Sequence, residues 1–288
     1  MLMLASMALF STMNATIRLL SADMGSTQMV LLRNVCSLVL IVLWEMARQK
    51  RLPTFPTARY RGHFWRASFG IVAMELWFYS LTILPITLAT ALSFTTPIFS
   101  TIIAIMFLGE KAGIRRWGAI ATGFIGMLII LRPGMDGIGP EAMFVIASSS
   151  MMAVAGVLVK TLTRTEPPET IVFYMALFMI PWSLLPALYH WQDFGLHQLW
   201  LIFLISLFST VAHLLLARAY VRAEMVMLMP FDFSRLVFTA ILAYFLFGES
   251  LDFPTVCGSL VIVASTVYIA HREAKQKHHA AIVKPEPL

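Results

Sequence analysis

Glu75, Tyr79 and Thr82 recur at i, i+4 and i+7 within an apolar stretch, so a carboxylate, a phenol and a hydroxyl share one face of a helix. An ionised side chain near the centre of a bilayer costs roughly 2.5–3.5 kcal/mol on insertion scales, so it needs a partner, a wet cavity or a function. Glu75 then either binds a cationic group or carries a coupling proton in a cavity wall, or pairs with Arg33 or Arg235 to lock two helices. Asp232, Arg235 and Thr239 share a second face, and Asp232 and Arg235 are close enough in sequence to pair within one helix. A guanidinium held this way can accept a substrate carboxylate through two parallel hydrogen bonds. His213 follows Ser206 and Thr210 at the same spacing, as a proton relay or an interhelical donor. Arg33 is expected to snorkel toward the outer surface.

Uncharged candidates accompany these groups: Asn14, Trp77, Thr90, Phe94, Thr95 and Ser149. Pro97 and Pro230 each free a backbone carbonyl that can meet substrate or water. Ala119 with Gly123, and Thr122 with Gly126, have small-xxx-small spacing, which permits close helix approach within the chain or in a homodimer. No Walker A sequence, HExxH motif, GxSxG elbow or metal-spaced Cys/His cluster is present, so no cofactor, metal or catalytic residue is assigned.

The elements that carry these residues follow from composition. Of 288 residues 59% are hydrophobic and 12% charged, with mean hydropathy +0.81, against about 25% charged in a soluble domain. The chain belongs in a lipid bilayer. The net charge of +6 comes from short basic clusters between apolar stretches, which excludes a nucleic-acid-binding face. Cys36 and Cys257 lie within apolar stretches and suggest no disulfide. The first twenty residues lack a basic leader and a small-residue cleavage site, and read as a retained helix.

Helical spans are expected over 2–20, 28–47, 65–84, 86–108, 117–131, 142–162, 170–189, 199–219, 224–247 and 256–270. The chain therefore reads as an all-α membrane protein of ten transmembrane helices, with a tail over 273–288. Phe94–Glu110 (FTTPIFSTIIAIMFLGE) returns as Phe233–Glu249 (FSRLVFTAILAYFLFGE), and Ile17–Leu20 has a weaker echo in Val159–Leu162. Lys111, Arg115 and Arg116 follow the first copy, but no Lys or Arg lies between Glu249 and the next span. By the positive-inside rule the two copies point opposite ways. The expected units are 1–134 and 135–272, two inverted five-helix repeats. This arrangement puts 17 of the 21 basic residues, and both termini, on the cytoplasmic side.

Pro97 to Glu110, the partner ending Phe247-Gly248-Glu249 and ten helices in two halves resemble the EamA branch of the drug/metabolite transporter superfamily. The resemblance implies a bacterial inner-membrane carrier with a central cavity between its halves. The sequence departs from it at Leu236, where the first copy has Pro97.

Charges of both signs near the midplane point to a small polar or zwitterionic metabolite, an amino acid or its derivative, moved by alternating access and driven by protons or its own gradient. The resemblance also admits uptake of a larger metabolite such as S-adenosylmethionine or riboflavin. A non-transporting scaffold or lipid-modifying enzyme is the reading from another class; the scatter of ionisable groups over several helices counts against it.

Overall fold

The computed structural model describes residues 1–93, 95–110, 113–131, 140–248, 253–254, 256–258, 260–261, 264 and 268. Phe94, Arg132, Glu249, the tail over 273–288 and most of the span expected over 256–270 lie outside these residues. All regular elements among the described residues are helices: α1 (Leu2–Leu20), α2 (Ser26–Gln49), α3 (Tyr60–Ile83), α4 (Ile86–Leu92), α5 (Thr95–Leu108), α6 (Ile114–Leu131), α7 (Ala142–Leu162), α8 (Pro168–Tyr189), α9 (Leu196–Arg222), α10 (Met225–Asp232) and α11 (Ser234–Phe247). Among the described residues seven stretches are long and apolar enough to cross a membrane, including Leu88–Leu108 and Met227–Phe247, which run across the α4/α5 and α10/α11 junctions.

Those junctions correct the expectation of continuous helices over 86–108 and 224–247. Pro97 has no N–H to give the Ser93 carbonyl, which instead accepts from Thr96 N–H at 2.9 Å in a tighter turn. In the second half the Phe233 carbonyl accepts from Leu236 N–H at 3.1 Å. Phe233 is the counterpart of Phe94, so the break falls at matching positions although Leu236 replaces the proline. Helix α3 also starts at Tyr60, five residues before the expected 65, so Arg66 lies in its second turn and not at its first residues.

The Gly-Glu motif ends its helices as left-handed backbone requires. Gly109 has φ +68° and Gly248 φ +64°, a region that glycine enters without strain. Beyond Gly109, Glu110 Oε1 accepts the Met225 N–H at 3.0 Å. It therefore caps the first turn of α10, in the other half of the chain.

Helix α1 packs along α9, α7 along α3, and α2 along α8. Matched hydrogen bonds join α1 to α9 and α7 to α3, and also α1 to α3 and α7 to α9. Ser6 Oγ donates to the Ala212 carbonyl at 2.8 Å, and Ser148 Oγ to the Ala73 carbonyl at 2.7 Å. Arg18 Nη1 donates to the Leu81 carbonyl at 2.7 Å, and Lys160 Nζ to the Tyr220 carbonyl at 2.6 Å. Donors in α1 and α7 stand 142 residues apart, and acceptors in α3 and α9 stand 139 apart, so each bond donated from α1 has its counterpart donated from α7. The weak echo at Arg18 and Lys160 is thus a structural one: each cation neutralises carbonyls at the end of a neighbouring helix.

Candidate functional site: a central cavity at two helix breaks

Between the halves lies a cavity with about 1250 Å³ of empty space, including the part open to solvent. Its wall comes from α1, α2, α3, α7, α8, α9 and both helix breaks. Most of the surface is soft and apolar, with Met3, Met7, Met13, Met74, Met152, Met175, Met225 and Met229 beside Phe10, Trp77, Phe78 and Tyr220. Methionine adapts to irregular ligands and aromatic rings offer faces for stacking. Set into that surface are Arg33, Arg66, Arg235, Asp232, His213, Asn14 and five hydroxyls: Ser93, Thr96, Ser100, Ser148 and Ser149.

Arg235 stands where the two breaks meet. Its Nη2 donates to Ser93 Oγ at 2.8 Å and lies 3.5 Å from Asp232 Oδ2. Ser93 Oγ in turn donates to the Thr90 carbonyl at 2.7 Å, and Ser149 Oγ reaches the Ser93 carbonyl at 3.5 Å. Ser11 Oγ donates to the Arg235 carbonyl at 2.9 Å. Both breaks are therefore held by side chains of other helices, as polar backbone inside a membrane protein requires. Trp77 Nε1 donates to Asn14 Oδ1 at 3.1 Å, which fixes the indole against the wall. His213 Nδ1 faces the Ser209 carbonyl at 2.8 Å; a carbonyl only accepts, so the neutral ring keeps Nε2 as an acceptor.

Of the residues singled out in the sequence, Asn14, Trp77, Ser149, His213, Asp232 and Arg235 converge on this cavity. Glu75, Tyr79, Thr90 and Thr95 do not line it. Glu75 is half-buried, with an Oε1 that has no hydrogen-bond partner. Tyr79 is 44% exposed, meets Phe144 edge-on at 5.3 Å and borders, with Thr82, a separate polar pocket beside Asp23 and Asp193. The 75/79/82 stripe thus looks away from the central space. Thr90 is wholly buried, and Thr95 Oγ1 turns back to the Leu92 carbonyl at 3.1 Å. Phe94 lies outside the described residues.

Arg33 does not snorkel. It is 1% exposed and donates to Asn34 Oδ1 at 2.7 Å and to Ser209 Oγ, with Met74 Sδ at 3.6 Å. Arg66, counted in the sequence among cytoplasmic loop residues, also lines the cavity and is 4% exposed. Neither makes an ion pair with a described carboxylate. The signal for Arg66 was Gly70, one turn on: a methyl there would collide with Arg66 Nη1 and Met179 Cε.

The two sequence offsets pair many wall positions: Asn14 with Gly156, Met74 with His213, Trp77 with Leu216, Ser93 with Asp232, Thr96 with Arg235. In four of these pairs the two members differ in polarity or charge, while Trp77 and Leu216 are both apolar. A family model described as the EamA-like transporter family matches residues 1–132 and again 139–270. The chain belongs to that family. It is a multi-pass membrane protein and a transporter.

Relatives of this EamA-family chain include a protein named "S-adenosylmethionine uptake transporter" in Rickettsia bellii, 30% identical over 222 residues, 77% of this chain and 76% of the relative. Another is named "Riboflavin transporter" in Vibrio cholerae, 29% identical over 278 residues, 95% of this chain and 93% of the relative. A solved crystal structure overlays with TM-score 0.75 at 14% identity, covering 94% of this chain and 98% of the other, a likeness of fold alone.

Proposed function

We propose that this transporter carries a planar heteroaromatic metabolite of about flavin size, rich in carbonyl and ring-nitrogen acceptors. The observation that carries this reading is the wall itself: three guanidiniums and one carboxylate set among methionines and aromatic rings. Guanidinium donors and an indole suit flat rings bearing carbonyl oxygens. The relative matched over most of this chain, and named for riboflavin, supports the same class. One feature disfavours the first expectation of an amino acid: among the described wall residues only Asp232 would receive its ammonium group. The positive balance of the wall also disfavours a sulfonium cation such as S-adenosylmethionine.

The carrier works by alternating access of two inverted five-helix halves, 1–134 and 135–272, in a bacterial inner membrane with both termini cytoplasmic. The matched bonds of Ser6 with Ser148, and of Arg18 with Lys160, support such a two-fold relation. Uptake into proteoliposomes tests the substrate class. Labelled riboflavin is expected to exchange across the bilayer at least about tenfold faster than S-adenosylmethionine or a mixture of amino acids, the factor expected from one well-placed hydrogen bond to a charged group. Faster movement of S-adenosylmethionine or of an amino acid would overturn the proposal.

A further inference from the structure

The cavity has a second pole besides the Arg235 break. Arg66 enters the wall six residues into α3, about 9 Å along the axis from the helix start at Tyr60. Its Nε and Nη1 are buried with no hydrogen-bond partner, and no described carboxylate neutralises it. Arg235, by contrast, has Asp232 and Ser93. An uncompensated guanidinium in such surroundings is costly to keep. The fold nevertheless makes room for it by leaving Gly70 without a side chain one turn further on. Around this pole stand Tyr220, on the same wall and within electrostatic reach of Arg66, and Met225. A guanidinium that lines a ligand cavity, with donors left unpartnered by the protein, is the counterpart of an anion.

We infer that Arg66 forms an anion-recognising subsite at the α3 N-terminal end of the cavity, which takes a phosphate monoester or carboxylate carried by the substrate. The inference rests on the heteroaromatic reading above and narrows it to acidic members of the class. Trp77 and Arg235 would hold the ring system, and Arg66 the charged end. Gly70 sets how far the guanidinium can lie over the helix, and so positions it.

The test compares binding of riboflavin and riboflavin 5′-phosphate to the full-length purified protein by quenching of tryptophan fluorescence, together with the thermal shift produced by inorganic phosphate. The wild type is expected to bind the phosphate ester about tenfold more tightly than riboflavin, as a bidentate charged contact allows. Arg66→Gln should abolish that preference, weakening binding of the phosphate ester about tenfold more than that of riboflavin. Gly70→Ala, which keeps the charge but moves it, should reduce the preference at unchanged fold stability. Equal binding of both flavins by the wild type, or equal loss of both in Arg66→Gln, would overturn the subsite and leave the transport reading standing. If neither flavin binds, a thermal shift with phosphate in the wild type that is absent in Arg66→Gln supports the subsite while the flavin reading fails. Absence of that shift as well overturns both.

Discussion

The three cavity arginines differ in what holds them, and that difference decides how each should respond to change. Arg235 is oriented by Ser93 and Asp232, one from each half. Ser93→Ala removes a hydrogen bond to a charged group, worth about 1.5–3 kcal/mol, so KM for transport should rise roughly tenfold while the maximal rate holds. Asp232→Asn should do the same and also weaken the salt dependence of binding. A KM unchanged in both would show that Arg235 does not touch the substrate. Glu75→Gln should leave KM unaltered, because Glu75 is not on the wall; a raised KM would return Glu75 to the site. The sequence exposed Asp232, Arg235 and His213 because charges stand out in apolar stretches. It misplaced Glu75 and Arg33 because a helix with lipid on one side and protein on the other is apolar on both. Periodicity then gives a face without its direction. Arg66 escaped for another reason: it stands at the edge of the span expected over 65–84, next to Arg59 and Arg61, and so reads as one of the loop's basic residues, whereas α3 begins at Tyr60 and places it a turn further in.

At the scale of elements, the breaks in α4/α5 and α10/α11 depend on devices outside the broken helices. Glu110 caps α10 from the other half, and Glu110→Gln should lower the apparent melting temperature in detergent by a few degrees, in line with about 1 kcal/mol for a helix cap. Gly109→Ala forces a side chain to φ +68° and should cost a further amount of about 1 kcal/mol. Stability unchanged in both variants would mean that this corner is not structurally taut. The Gly-Glu motif was legible as a helix stop, and its glycines behave so. That its first glutamate reaches across to another helix was not legible, since nothing in local sequence names a partner 115 positions away. Pro97 announced one break. The second occurs without a proline at the matching position, so the repeat pattern was a better guide to it than residue type. Gly123, read as part of a stripe for close approach, is buried against the Phe233 ring at that second break, where a methyl would come within 2.6 Å of the ring.

For the molecule as a whole, the cavity is not centred between the two ends of the bundle. Its wall runs along α1 from Met3 to Asn14, along α3 from Arg66 to Phe78 and along α7 from Ser148 to Val159, and takes the start of α8 and the close of α9, which lie at the end that carries Arg48, Arg59, Arg164, Arg218 and Arg222. There Glu169 joins Arg218 at 2.7 Å and Arg48 at 3.4 Å. At the opposite end Gln28 closes α2 onto the α8–α9 connection, giving its Nε2 to the Gln192 carbonyl at 2.8 Å and accepting the Gln192 N–H at 3.2 Å. On the positive-inside reading this is a carrier leaning open to the cytoplasm. A cysteine placed at Met225 should react with a membrane-impermeant thiol reagent from the cytoplasmic side alone, and Gln28→Ala should allow labelling from the outer side too. Labelling of Met225→Cys from outside in the otherwise unaltered chain would reverse the orientation. The Ser93–Arg235 bond has a consequence for descent as well. Were the halves once identical chains paired head to tail, the position now held by Thr96 and Arg235 would have carried one residue twice, and two facing guanidiniums would have repelled each other. The two-fold scaffold thus tolerates this cation in one copy only, and its lone guanidinium depends on the two copies being different.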